Sequence, residues 1–241
     1  MKKEDLTRRS AAETRGLKKN RDSCRNDMNE FSLSCSNLEK KFLNKIIFNN
    51  FSAELNAGDS LAVTGRNGSG KSTLLKTIAG LIKPEKGKIA FSSDGKEINP
   101  ERHHLYVGMI APYINLYEEL TAYENLAFFY DLKNPGIKDG KKDRIENLLN
   151  RINLYPRRND EVKNFSSGMK QRVKLAFAVI NSPPLLLMDE PRTNLDTQGI
   201  ELVYEVAEEQ KKNGVLIVAT NEPDDTRLCS RTVSIEDYRI I

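Results

Sequence analysis

The chain has 241 residues, 38% of them hydrophobic, with 38 Lys/Arg against 34 Asp/Glu and a formal net charge of +4. That length allows one large domain or two small ones, and the apolar share, with 14 Gly added, is that of a folded globular protein. No apolar run approaches the ~18 residues of a membrane-spanning helix, and no secretory signal follows the basic N-terminus. Three cysteines without a CxxC pair (Cys24, Cys35, Cys229) argue against a disulfide framework or a structural zinc site, so the expected compartment is the reducing cytoplasm.

Residues 1–27 carry nine Lys/Arg and five Asp/Glu, and few large apolar side chains beyond Leu6 and Leu17. Such a segment cannot bury enough surface to offset its ordering entropy. It is expected to be a disordered basic tail ahead of one folded domain over 28–241. Its interspersed acids argue against specific nucleic-acid binding.

From Phe31 to Leu38 apolar and polar residues alternate, as in a half-buried strand. Ile46–Leu55 reads as a second strand and Ser60–Thr64 as a third, buried one. A helix is predicted from Lys71 to Ile82, with Leu74, Leu75 and Ile78 on one face, followed by strands at Lys88–Phe91 and Leu105–Ile110. His103 and His104, the chain's two histidines, lie in a loop just before the last of these and are expected at the solvated surface. Thr121 to about Asn164 is predicted to be mostly helical, with segments Leu120–Tyr130 and Lys142–Ile152 joined by the Asn134-Pro135-Gly136 turn. Beyond it come a helix at 168–181, strands at 185–188 and 214–219 around a helix at 197–212, a short helix after Pro223, and a strand at Thr232–Ile235. Strands alternating with helices predict an α/β domain around a largely parallel sheet, with residues 121–165 as a helical insertion.

Gly65-Arg66-Asn67-Gly68-Ser69-Gly70-Lys71-Ser72 fits G-x-x-x-x-G-K-[ST], after a buried strand and at the start of a helix. In that context the glycines let backbone N–H groups converge on phosphate oxygens, and the helix N-terminus adds positive partial charge. Residues 65–72 with Thr73 are therefore the candidate phosphate-binding set. Lys71 is placed to reach the β- and γ-phosphates, and Ser72 to ligate Mg²⁺. Leu185–Met188 is an apolar strand ending in Asp189-Glu190, and ligands of open parallel sheets sit at the carboxyl ends of strands. Asp189 there is the second candidate metal residue. Glu190 is the candidate that orients or deprotonates the attacking water of a phosphoryl transfer.

At this point the sequence resembles the ATP-binding cassette (ABC) family, over roughly residues 31–241. The resemblance rests most on Phe165-Ser166-Ser167-Gly168-Met169-Lys170-Gln171-Arg172, similar to the family signature LSGGQ-x-[QR]-R with three positions altered, and on Thr193-Asn194-Leu195-Asp196, similar to its D-loop. It implies a P-loop NTPase fold: a mixed, largely parallel core sheet, an antiparallel β-subdomain on the N-terminal side, and an inserted α-helical subdomain. It also implies that Ser166 and Gly168 face ATP held by a second ATP-binding domain, in a homodimer or heterodimer. Phe42 matches the aromatic residue that stacks on adenine. The implied cofactors are ATP and Mg²⁺, and the implied partners are separate integral-membrane subunits on whose inner face the chain would sit. Leu120-Thr-Ala-Tyr-Glu-Asn-Leu126 makes it similar to small ATPase subunits of bacterial exporters, those of haem export in cytochrome c maturation among them.

Two positions depart from the family. Pro112 stands where the Q-loop glutamine is expected, and proline has no donor to replace it; Tyr113 and Asn115 are the neighbours able to compensate. Asn221 stands where the switch histidine is expected. It can donate an amide hydrogen bond to a γ-phosphate, but it cannot carry a proton or a charge.

Overall fold

The computed structural model describes residues 31–239 except residue 44, and the expected basic tail lies outside the described residues. Two sheets organise the chain. The first is antiparallel, in the order β2-β1-β4-β5, from β1 (Ser32–Phe42), β2 (Lys45–Asn56), β4 (Lys86–Ser93) and β5 (Lys96–Glu97). The second joins β6 (Val107–Ile110), β7 (Leu185–Asp189), β8 (Val215–Ala219), β3 (Ser60–Thr64) and β9 (Arg231–Ser234), in the order β6-β7-β8-β3-β9. Every pairing in this second sheet is parallel. The antiparallel strands are thus segregated into their own sheet, and the core is not mixed.

β7 and β8 are buried along their whole length, as expected of parallel strands covered on both faces. Their side chains divide by the two-residue period. Leu185, Leu187, Val215 and Ile217 join a core with Phe31, Phe51, Phe91 and Leu74, against the antiparallel sheet and α1 (Lys71–Ile78). Leu186, Met188, Leu216 and Val218 join the other core, among α2 (Ala122–Lys133), α3 (Lys141–Arg151), α4 (Ser167–Val179) and α5 (Thr197–Asn213). A short α6 (Pro223–Thr226) precedes β9.

The helical stretch after β6 is held by local devices. α2 opens on a capping box: Thr121 Oγ1 accepts from the Glu124 N–H at 3.1 Å, and Glu124 Oε2 accepts from the Thr121 N–H at 2.8 Å. Asn125 is fully buried and donates to the carbonyls of Tyr117, Leu120 and Thr121 while accepting from the Tyr117 N–H. Ser166 caps α4, and Asp196 caps α5 by accepting from the Gly199 N–H at 2.9 Å. At its far end α4 runs so close to β6 that any side chain at Gly108 would collide with the Ala178 carbonyl and Pro183.

Four sequence expectations are corrected. The helix from Lys71 ends at Ile78 rather than Ile82, because Gly80 adopts φ +75° and turns the chain. Pro100–Leu105 forms a 3₁₀ helix, so β6 starts at Val107, and the stretch after α3 contains only 3₁₀ turns at Tyr155–Arg157 and Val162–Asn164. His103 is 8% exposed, not solvated: its ring lies flat on Phe91 at 4.0 Å, and Nε2 donates to the Ile98 carbonyl at 3.1 Å. His104 is exposed.

Candidate active site

β7, β8 and β3 are adjacent and parallel, so whatever follows their carboxyl ends converges. Residues 65–70 follow β3, Glu190 follows β7, and Asn221 lies two residues beyond β8. The phosphate loop closes on itself, with the Ser69 N–H donating to the Arg66 carbonyl at 2.9 Å. Gly70, at φ +114°, caps α1, and a Cβ there would lie 2.6 Å from Ile47 Cγ2. A Cβ on Gly68 would meet nothing within 4 Å, so this part of the loop is open. Lys71 is buried and folds back over the loop. Its Nζ donates to the Gly65 carbonyl at 2.8 Å and lies 3.5 Å from Glu190 Oε1.

Glu190 occupies left-handed backbone, φ +48°, with its N–H donating to the Ala219 carbonyl at 2.9 Å. That turn brings its carboxylate back over the strand ends. The Asn221 side chain, with its nitrogen turned toward the acid, donates to both Glu190 oxygens, at 2.8 and 3.1 Å. Burial raises the Glu190 pKa, and the Lys71 amine opposes that rise. The Asn221 amide therefore contacts the acid itself, where the sequence pointed to a γ-phosphate.

Asp189 is 1% exposed, and among the described residues neither of its carboxylate oxygens has a hydrogen-bond partner. Burial raises its pKa, while the nearby Ser72 and Tyr113 hydroxyls and the Lys71 and Lys76 amines act in the opposite sense. Two orphaned, buried carboxylate oxygens beside a serine hydroxyl form a hard oxygen donor set, which fits magnesium. Tyr113, next to Pro112, is held over this site: Lys76 Nζ sits 3.7 Å from its ring centroid, and its hydroxyl contacts Met109 Sδ at 3.9 Å. Burial, then the charge of Asp189, pushes the Tyr113 hydroxyl pKa up. Pro112 is exposed and offers only its carbonyl, which accepts from Lys174 Nζ at 3.3 Å.

Other candidates lie outside this cluster. Phe42 is 49% exposed at the end of β1, with Lys40 Nζ 5.2 Å from its ring centroid. Ser166 and Gly168 open α4, exposed or partly so, and pack by the D-loop: a Cβ on Gly168 would lie 3.3 Å from the Asn194 carbonyl. Among the described residues, no hydrogen bond or ion pair joins them to the phosphate loop. Two features escaped sequence reasoning. The segment Ile235–Arg239 packs against the phosphate loop, a contact across about 170 residues that no local pattern announces. A cluster of aromatic rings, Tyr117, Phe128, Phe129 and Phe177, lies partly exposed beside Leu132, and its irregular spacing blurred the helical period.

Comparison with known proteins agrees with this geometry. The ABC transporter family model matches residues 48–193. The chain is 32% identical over 214 residues to the linearmycin resistance ATP-binding protein LnrL of Bacillus subtilis, covering 87% of this chain and 68% of that protein. It is 35% identical over 189 residues to the lantibiotic transport ATP-binding protein SrtF of Streptococcus pyogenes, covering 78% and 79%. It is 28% identical over 198 residues to the cytochrome c biogenesis ATP-binding export protein CcmA of Haemophilus influenzae, covering 81% and 91%. Among solved structures, an ATP-binding subunit of an ABC transporter superposes with a TM-score of 0.76 at 30% identity, over 86% of this chain and 87% of that one. A dimeric ATP-binding cassette in a post-hydrolysis state with ADP and Pi gives 0.75 at 25% identity, over 86% and 96%. The chain belongs to the ABC transporter family and carries its ATP-binding domain. Among the described residues, no helix is long and apolar enough to cross a membrane.

Proposed function

We propose that this chain hydrolyses ATP as the motor subunit of an export-type transporter, pairing head-to-tail with a second ATP-binding domain and driving separate membrane subunits. The observation that carries the reading is Glu190, held between Lys71 and Asn221 beside the orphaned carboxylate of Asp189. On this reading the phosphate loop and Lys71 bind the triphosphate, and Lys71 exchanges the Gly65 carbonyl for phosphate oxygens. Glu190, its basicity raised by burial, takes the proton of the attacking water, while Asn221 fixes the direction of the acid. Ser72 and Asp189 would hold Mg²⁺, which when bound neutralises charge on the β- and γ-phosphate oxygens. Phe42 would cover the adenine. Ser166 and Gly168, exposed at the start of α4, would complete the site of the second domain.

The partly exposed aromatic cluster around α2 and α4 supports the membrane-subunit part of the reading, since clustered exposed apolar side chains mark docking sites. That partner would hold the chain peripherally at the inner membrane face. Two observations favour a second reading, a nucleotide-operated scaffold with slow turnover: Pro112 supplies no donor, and Asn221 has no proton that it can take up or release. Steady-state ATPase activity separates the two. Glu190→Gln decides the mechanism: it should bind ATP, stop turnover and leave an ATP-locked dimer on size exclusion. Undiminished hydrolysis in that variant would remove Glu190 as the base.

A further inference from the structure

We propose that the segment Ile235–Arg239 is a fixed brace for the phosphate loop, and that Arg239 is a positioning residue for nucleotide binding. The inference deepens the ATP-binding assignment and rests on it. Arg239 Nη2 donates to two loop carbonyls, Ser69 at 2.8 Å and Gly68 at 3.1 Å. Three residues earlier, Glu236 Oε1 accepts from the Arg66 N–H at 3.3 Å. Ile235 fills the space behind both flanking glycines: a Cβ on Gly65 would lie 2.9 Å from its Cγ2, and one on Gly70 3.8 Å from its Cγ1. The segment therefore grips the loop's backbone along its length, while the region around Gly68 stays open.

The grip has a consequence for anion binding because a peptide unit is planar. Its C=O and N–H point in opposite directions, so fixing one fixes the other. Arg239 holds the carbonyl of the Ser69–Gly70 peptide, whose N–H belongs to Gly70, the N-cap of α1. A charged donor on the carbonyl side turns that N–H outward and polarises it toward an anion. Preorganisation of this kind strengthens binding by removing the cost of ordering the loop when ligand arrives.

The brace is itself anchored without help from the loop. β9 pairs in parallel with β3, and Thr64 Oγ1 donates to the Val233 carbonyl at 3.1 Å. Ser234 Oγ accepts from the Glu236 N–H, and Tyr238 stands edge-on to Phe51 at 5.0 Å. Among the described residues, the Arg239 Nε is buried without a partner and no carboxylate pairs with the guanidinium. Its hydrogen bonds go to the loop.

The test is fluorescent mant-ADP titration of the full chain, with wild type, Lys71→Ala, Arg239→Ala and Arg239→Lys measured beside their melting temperatures. Titrations are run well below each variant's melting temperature, where the folded fraction is close to one, so that a raised Kd reports positioning and not a reduced folded population. Arg239→Ala should weaken mant-ADP by about tenfold, the scale of one or two hydrogen bonds from a charged donor. Arg239→Lys, which keeps the charge but not the fork, should fall between it and wild type. In ATPase assays the Arg239→Ala loss should appear in KM, with kcat within about twofold. A wild-type Kd for Arg239→Ala, whatever its melting temperature, overturns the brace while leaving ATP binding intact. Failure of wild type itself to bind mant-ADP, indistinguishable from Lys71→Ala, overturns both.

Discussion

The edge of the parallel sheet and the helical stretch from Thr121 to Val179 solve opposite problems. At the sheet edge, charges are crowded and left short of partners: Asp189 is buried with two orphaned oxygens, and Glu190 sits on left-handed backbone. In the helical stretch many polar groups are satisfied close by, through the Thr121–Glu124 capping box, the Asn125 knot and the Ser166 cap, and the buried atoms without a partner, Gln171 Nε2 and Arg172 Nε, are nitrogens on α4 rather than carboxylate oxygens. The first region gives up stability to hold a ligand. The second spends little on chemistry and presents surfaces, an exposed helix start and an aromatic patch, that make sense against another chain. The lesson is one of kind: buried carboxylate oxygens without partners beside a glycine-rich loop suit a small charged ligand, whereas capped, exposed elements offer surface.

The sharpest way to break this contrast is Lys71→Ala. If the sheet edge is built for phosphate, removing its buried cation should weaken nucleotide binding by about a hundredfold, and calorimetric titration with ATP checks it. Next is Asn221→Ala. Loss of the amide that fixes Glu190 should lower kcat by roughly ten- to a hundredfold at ~1.4 kcal/mol per decade, with little change in ATP affinity. A wild-type kcat would show that Asn221 has no part in turnover.

Asp189→Asn should separate stability from function at one residue. Burial holds the Asp189 pKa above the usual carboxylate range, so its ionised form opposes folding at neutral pH, and that cost fades as the pH falls through the raised value. The amide variant should therefore melt higher at pH 7 when nucleotide-free, by about 2–4 °C for each kcal/mol recovered. The gain should shrink toward acid pH, and Mg²⁺-dependent hydrolysis should be lost. Equal melting temperatures at pH 7 would contradict a strained acid. The smallest effect is expected in the other region: Thr121→Ala removes a helix cap, costing ~1 kcal/mol. Its melting temperature should drop with Kd for ATP unchanged. A change in Kd would mean the two regions are not independent in this sense.

What the sequence made legible follows from locality. The glycine-rich turn between β3 and α1, the acids at the end of β7 and the buried strands were readable because parallel strands are continuous apolar runs and the loop lies within eight residues. The end of α1 was missed because Leu81 and Ile82 continue an apolar pattern past Gly80, whose positive φ had already ended the helix. His103 was misjudged because its burial depends on Phe91 from another strand. The contact of Glu190 with Asn221 required knowing that β7 and β8 are neighbours. Arg239 reaches the phosphate loop only because β9 closes the sheet beside β3.

The bare backbone at Gly108 bears on mechanics. α4 is a rod of 13 residues, about 20 Å at 1.5 Å per residue, with the signature serine at one end and the Ala178 carbonyl seated against β6 at the other. Side chains yield by changing rotamer, whereas backbone pressed on backbone has nothing to give. A push along the rod from its exposed end is therefore delivered to β6, the strand that pairs with β7 and leads directly to Tyr113 beside Asp189. A glycine here would work as a bearing surface, passing on a thrust that a cushioned joint would absorb.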